Sequence, residues 1–345
     1  MSTADPAASN LQIRLAARPH GLPKESDFEK TREEVPSPGE GEILVKVLYL
    51  SLDPAMRGWM TDRKSYIEPI KLGDVMRGLT IGEVAATRHP DFAVGDRVSG
   101  TFGWQQWAIS KGQGVEKLPK HLAPELFLGP LGMTGLTAYF GLLEVGALKD
   151  GEQVVVSAAA GAVGSVVGQI AKIHGCRVVG IAGGAEKCRF LKEELGFDVA
   201  VDYKAADFPE ALKAACPKGI DVYFDNVGGE ILDHCLRYLN RGARVPICGA
   251  ISGYNATEPL PGPSNYLSLL VNRARMEGFI VFDFRARYAE ALQRLGAWVA
   301  AGQIAARYDI VDGLENAPTA LNRLFTGENT GKLIVRLAAP RVAAL

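Results

Sequence analysis

Residues 159–164, AAGAVG, set Gly161 and Gly164 at the second and third glycine positions of the dinucleotide fingerprint GxGxxG, with Ala159 at the first. Such a run serves phosphate binding by main chain. Without a side chain at 161 the backbone can approach a pyrophosphate, and Gly164 lets a helix lie close to the preceding strand. The apolar run EQVVVSAA (152–159) comes before it, and Val163, Val166, Val167, Ile170 and Ile173 follow at helical spacing, with Gly175 just past the last turn. A helix beginning here offers N–H groups and the positive end of its dipole to a phosphate. The competing explanation is close helix–sheet packing with nothing bound. The strand before and the helix after favour a nucleotide.

An NAD site usually carries an acid at the end of the next strand, about 20 residues on, to hold the ribose 2′-hydroxyl. Here that strand ends AGGAEK, with Gly183 and Gly184 in the acid's position and Lys187 shortly after. A cation there suits a 2′-phosphate, so the pattern points to NADP(H). Glu186 is the contrary signal, though an acid also suits the first turn of a helix. Lys187, on spacing alone, equally fits an ordinary solvated helix residue.

Tyr254, in CGAISGYN, follows a later strand at the end where parallel sheets bind ligands. A phenol, with a pKa of about 10, keeps its proton at neutral pH and can donate it to an oxygen that gains negative charge. The plainer alternative is a loop tyrosine packed on its neighbours. Metal chemistry has little to draw on. His20, His89, His121, His174 and His234 form no HExxH or comparable array, and no cysteine precedes Cys176. A zinc site in the first third is therefore not expected. There is no GxSxG elbow and no P-loop.

The elements that must carry these residues change character along the chain. Short β runs separated by turn signals fill the first third: EILVKVLYL (42–50), IGEVAAT (81–87), DRVSGTF (96–102) and WQQWAIS (104–110). They suggest an antiparallel barrel. From about residue 128, apolar strands at 152–159, 176–182, 197–203, 219–227 and 243–250 alternate with helices, a last one expected around 286–301. That alternation means βαβ units and a parallel sheet covered on both faces. The tail GKLIVRL (331–337) is expected to return as a strand to the first domain.

The 345 residues allow two domains of ordinary size. Lys plus Arg (38) nearly balance Asp plus Glu (39), which leaves no basic field for nucleic acid or anionic lipid. No apolar run approaches the roughly 18–20 residues of a membrane span, and the first residues lack the basic and apolar regions of a secretory signal. Five cysteines, Cys176, Cys188, Cys216, Cys235 and Cys248, are scattered without CxxC spacing, which argues against a disulfide framework and for the reducing cytoplasm.

Several longer stretches, among them PGEGEILVKVLYLSLDPAMRGWM, LGMTGLTAYFGLLEVG, GFDVAVDYKAADF, GIDVYFDNVGGEILD, ICGAISGYN and ENTGKLIVRL, resemble the zinc-independent medium-chain dehydrogenases/reductases. The resemblance runs from about residue 11 to 338, to the branch of prostaglandin reductases, alkenal double-bond reductases and bacterial curcumin reductases. It implies an α/β chain: a GroES-like β-barrel domain from 1–128 and 305–345, and a doubly wound Rossmann domain from 129–304. It also implies NADPH-dependent reduction of the α,β double bond of small-molecule enones and enals, by a homodimer. Where zinc-dependent relatives carry a ligand in GHE, this chain has Gly78, Leu79 and Thr80.

Carried over by position, the family's pyrophosphate contacts fall on Ala162, Val163, Gly164 and Ser165, and its 2′-phosphate contacts on Lys187 and Tyr203. Other coenzyme contacts fall on Asn226, on Cys248, Gly249, Ala250, Ile251, Ser252 and Tyr254, on Phe279, Ile280 and Val281, and on Asn329. Tyr254 matches the tyrosine assigned to the enone oxygen or its proton, while Tyr49 and Met133 match residues of the substrate cleft. Ala55 stands where many relatives have tyrosine, which bears on substrate size. Two rival functions remain at this point: a quinone oxidoreductase on the same fold, and a non-catalytic NADPH-binding redox sensor.

Overall fold

A computed structural model describes residues 9–338. They divide into two compact units, one of 9–128 with 308–328 and 333–338, the other of 129–307 with 329–332.

The first unit begins with a hairpin of β1 (Ser9–Leu15) and β2 (Phe28–Glu34), in which Ser9 faces Glu34. There follow β3 (Ile43–Ser51), the short α1 (Ala55–Trp59), β4 (Thr80–Thr87), β5 (Arg97–Gly100), β6 (Trp107–Ser110) and β7 (Glu116–Lys117). β3 is the central strand, antiparallel to both β4 and β6. Eight of its nine residues are buried, the pattern of a strand covered on both faces.

The second unit opens with α2 (Met133–Phe140), which runs on as a π-helical turn over Gly141–Val145. Five strand–helix repeats follow: β8 (Gln153–Val156), α3 (Gly164–Ile173), β9 (Arg177–Ala182), α4 (Ala185–Glu193), β10 (Val199–Asp202), α5 (Phe208–Ala215), β11 (Ile220–Phe224), α6 (Gly229–Leu236), β12 (Leu239–Ile247) and α7 (Leu267–Asn272). β13 (Arg275–Gly278) and α8 (Tyr288–Ala300) end it. The strands form one parallel sheet in the order β10-β9-β8-β11-β12-β13. The order reverses beside β8, so the carboxyl ends of β8 and β11 border the crevice where such sheets take their ligands.

Alternation along β8 shows how the layers form. Val154 and Val156 pack with Val166, Val167 and Ile170 of α3, while Val155 packs on the other face with Leu212 and Leu236 of α5 and α6. All three valines are fully buried, each contributing about 1.5–3 kcal/mol. The chain then returns to the first unit as β14 (Tyr308–Asp312), α9 (Ala317–Thr326) and β15 (Lys332–Arg336), with Ile334 of β15 antiparallel to Ser51 of β3.

Three of the boundaries that differ from the sequence expectation have a visible cause. β8 stops at Val156, because Ala158 takes the left-handed conformation (φ 48°) and turns the chain toward α3. β10 starts at Val199, because Phe197 leaves the strand to pack on Gly168 of α3. β12 starts at Leu239, where Leu239 pairs with Ile220 ahead of a register shift.

Candidate active site

The turn after β8 separates two uses of glycine. A Cβ on Gly164 would lie 2.5 Å from the Ala158 carbonyl oxygen and 2.8 Å from the Ala159 Cα. That position is therefore glycine because α3 is pressed against the turn. A Cβ on Gly161 would meet only the Ala158 carbonyl oxygen, at 3.1 Å, and Gly161 is half-exposed. Its bareness leaves room for something outside the chain. Ala162 and Val163 lead into α3 at Gly164, and in its first turn the Ser165 and Val166 N–H groups donate to the Gly161 (3.0 Å) and Val163 (3.1 Å) carbonyls. Ser165 is buried. Ala159, at the first fingerprint position, is fully buried. The Gly331 N–H donates to the Ala160 carbonyl (2.8 Å), and Asn329 Nδ2 donates to the Gly331 carbonyl (3.1 Å), so Asn329 arrives beside this turn.

At the end of β9 a side chain would meet crowding at one glycine and backbone strain at the next. A Cβ on Gly183 would fall 2.8 Å from the Tyr203 ring, and Gly184 has φ 94°. Asp202 is the nearest acid along the next strand, but its Oδ1 accepts the N–H groups of Gly184 and Lys204, both at 2.9 Å. Glu186 is drawn toward Arg307 (3.7 Å). Tyr203 is 40% exposed and covers the Gly183 corner, with Lys187 half-buried in the first turn of α4.

The ends of β11 and β12 are tied together. Asn226 donates its N–H to Ser157 Oγ (2.9 Å) and its Nδ2 to the Ser157 carbonyl (2.7 Å). Its own carbonyl accepts the Ile251 N–H (3.3 Å), while Ser252 donates Oγ–H to the Val227 carbonyl (2.6 Å). These bonds shape the 3₁₀ turn Ile251–Gly253 that leads to Tyr254. The Tyr254 hydroxyl oxygen accepts the Ala250 N–H (3.3 Å) and lies 3.0 Å from the Cβ position of Gly249, so glycine there makes room for the phenol. Burial, then the Asp225 charge, push the Cys248 thiol up to about 12, which removes it as a nucleophile at neutral pH.

Phe279 packs edge-on to Phe224 (6.2 Å between centroids), followed by Ile280 and Val281. The Tyr288 hydroxyl donates to the Val281 carbonyl (3.0 Å) and stands 3.9 Å from Met133 Sδ, so α8 ties Met133 to the 279–281 segment. Tyr49 lies on β3 in the first unit, almost fully buried. Burial, reinforced by the Glu125 carboxylate, raises its hydroxyl above the usual range. Ala55 is the first residue of α1.

Residues 11–118 match a family described as the N-terminal domain of oxidoreductase, and residues 162–297 match zinc-binding dehydrogenase. The NADPH-dependent curcumin reductase of Escherichia coli (strain K12) is 50% identical over 335 residues, 95% of this chain and 97% of that protein. The chain belongs to the medium-chain dehydrogenase/reductase family. Within the family it stands in the curcumin and prostaglandin reductase branch. Prostaglandin reductase 1 of Oryctolagus cuniculus is 46% identical over 319 residues, 91% of this chain and 89% of that protein. The solved structure of CurA from Vibrio vulnificus in complex with NADPH superposes with a TM-score of 0.92 at 49% identity, covering 96% of this chain and all of that one.

The second family description names zinc, yet among the described residues no group of three or more His, Cys, Asp or Glu side chains is placed to hold a metal ion. Nor, among them, is any helix long and apolar enough to cross a membrane. Sequence reasoning missed Ser157, Asp225 and Tyr288. Ser157 and Asp225 directly follow β8 and β11, and a polar residue just past a buried parallel strand was the available signal.

Proposed function

We propose that the protein is an NADPH-dependent reductase of the α,β carbon–carbon double bond of enones and enals. The observation that carries the coenzyme choice is the corner at Gly183. Glycine fills the position where an NAD ribose is usually met by an acid, and both Gly183, crowded by Tyr203, and Gly184, with its positive φ, disfavour a larger residue there. In this reading Ala162, Val163, Gly164 and Ser165 hold the pyrophosphate, and Lys187 and Tyr203 hold the 2′-phosphate. Asn226, Cys248–Ser252, Phe279–Val281 and Asn329 line the rest of the coenzyme, and Tyr49 and Met133 contact the substrate. The division of labour follows: 1–128 and 305–345 for substrate, 129–304 for coenzyme.

When bound, NADPH supplies the hydride that the substrate β-carbon accepts. Tyr254 donates its hydroxyl hydrogen bond to the enone oxygen and holds the enolate charge there. The α-carbon takes its proton from that hydroxyl or from water. A positioned donor does here what a metal ion does by polarising a carbonyl. The test is NADPH oxidation with 3-nonen-2-one beside 1,4-benzoquinone, repeated with NADH. We expect the enone to be preferred over the quinone, and NADPH over NADH by at least about tenfold, the factor for one charge-assisted hydrogen bond. Equal use of NADH would remove the 2′-phosphate reading, and a quinone preference would remove the enone.

The reading also has the protein act as a homodimer in the cytoplasm. Its cysteines are all unpaired, which suits a reducing compartment. β13 is an exposed edge strand. α7, which precedes it in the chain, exposes Leu267, Leu270 (76% exposed) and Val271, apolar side chains that a soluble monomer rarely leaves open together. Leu270→Glu should convert a dimer to a monomer in sedimentation velocity. A monomeric unsubstituted protein at micromolar concentration would remove the dimer.

A further inference from the structure

Asp225 directly follows β11 and is 1% exposed. Four donors converge on its Oδ1: the Tyr223 hydroxyl (2.7 Å), the Ser157 hydroxyl (3.1 Å), and the N–H groups of Val227 and Gly228 (both 3.0 Å). Oδ2 is buried with no hydrogen-bond partner. Burial raises its pKa, against those hydrogen bonds, so the carboxyl is a costly group to keep here. Burial and the same carboxyl keep the Tyr223 hydroxyl protonated, and hence a donor. The Asp225 main chain is engaged as well, its carbonyl accepting the N–H groups of Cys248 (2.8 Å) and Gly249 (3.2 Å).

One residue thus ties together the ends of β8, β11 and β12. Its side chain orients the Ser157 hydroxyl, whose oxygen accepts the Asn226 N–H while the Ser157 carbonyl accepts the Asn226 amide. Its bonds to Val227 and Gly228 set the turn whose carbonyls, those of Asn226 and Val227, receive Ile251 and Ser252. Those two residues begin the turn that presents Tyr254. Gly228, at φ 69°, permits this tight convergence of N–H groups.

We propose that Asp225, acting through Ser157, is a positioning residue for the reduction. It fixes Asn226 and the 248–254 turn, and with them the geometry of the Tyr254 hydroxyl, while leaving the 2′-phosphate end untouched. The inference rests on the NADPH reading above.

The experiment measures three quantities for Asp225→Ala, Asp225→Asn and Ser157→Ala: kcat on 3-nonen-2-one, Kd for NADPH, and Kd for adenosine 2′,5′-bisphosphate by calorimetry. The last compound reads only the adenosine half. Asp225→Ala should lower kcat by about 100-fold, the effect of a misplacement near 1 Å, with fragment binding unchanged. Asp225→Asn keeps an acceptor for the four donors and should recover most of that loss. Ser157→Ala should lower kcat by about tenfold with fragment binding intact, and it carries the test if Asp225→Ala does not fold. An unchanged kcat in Ser157→Ala, or kcat and fragment affinity falling together in every variant, overturns the proposal. Failure of the unsubstituted protein to bind the bisphosphate would instead overturn the NADPH reading.

Discussion

Tyr254→Phe should lower kcat on an enone by about 10²–10³-fold, the usual effect of removing one preorganised donor from a developing oxyanion, with NADPH affinity nearly unchanged. The two halves of this expectation have separate causes. The turn that carries Tyr254 is held by main-chain bonds from Ile251 and Ser252 to the β11 loop, which the phenol does not enter. The ring stays, so coenzyme contacts of the turn survive. The hydroxyl oxygen accepts the Ala250 N–H at 3.3 Å, at an exposed position where water can replace that bond. Stability should accordingly hold to within about 0.5 kcal/mol, as for most surface changes. The measurement is single-turnover reduction beside equilibrium NADPH binding. A kcat at the unsubstituted level takes the phenol out of the reaction and leaves water or a coenzyme hydroxyl as the donor. A parallel loss of NADPH affinity means Tyr254 serves binding.

Most of the architecture was legible because its signals are local. Strands such as VVV at 154–156 and VVGIA at 178–182 are apolar throughout, and the helices between them carry one apolar stripe, so the parallel sheet follows from period alone. The hairpin of β1 and β2 was not legible. β2, FEKTREE, is exposed at nearly every position and shows no alternation, and its pairing with β1 is a long-range fact. α2 was hidden for a related reason. MTGLTAYF is apolar nearly all round because it is buried nearly all round, and its continuation as a π-helical turn departs from the 3.6-residue period.

The site divides along the same line. Gly161, Gly164, Gly183 and Lys187 could be singled out as candidates because the dinucleotide fingerprint fixes their offsets from a strand. Tyr254 was visible as a donor past a strand end, but its relation to Gly249 and Ala250 was not, since that depends on how a short 3₁₀ turn folds back. Asp225 escaped notice because, beyond the neighbouring Tyr223, Val227 and Gly228, its partners are Ser157, 68 residues upstream, and the 248–249 main chain, past α6 and β12. A buried carboxyl is recognised by what surrounds it, and the surroundings are the one thing a sequence does not print.

Two alanine substitutions, three residues apart in the sequence, should fail in opposite ways. In Gly164→Ala the new methyl would lie 2.5 Å from the Ala158 carbonyl oxygen and 2.8 Å from the Ala159 Cα, both main-chain atoms that cannot swing aside. α3 must move outward, against the fully buried contacts of Val167 and Ile170 with the sheet. Overpacking of this kind costs about 1–3 kcal/mol, roughly 2–10 °C in Tm, and coenzyme affinity should fall with it. In Gly161→Ala the methyl meets a single atom at 3.1 Å and Gly161 has an ordinary φ, so the protein without coenzyme should melt where the unsubstituted one does. In the proposed reading the methyl nevertheless stands where the coenzyme pyrophosphate approaches the main chain. NADPH Kd should then rise by about 10–100-fold, the factor for 1–3 kcal/mol of steric cost. Calorimetric melting with and without NADPH separates the cases: Gly164→Ala lowers both Tm values, whereas Gly161→Ala lowers only the coenzyme-induced increase. A Gly161→Ala protein that binds NADPH normally would mean the phosphates lie elsewhere, and the bare turn would serve packing alone.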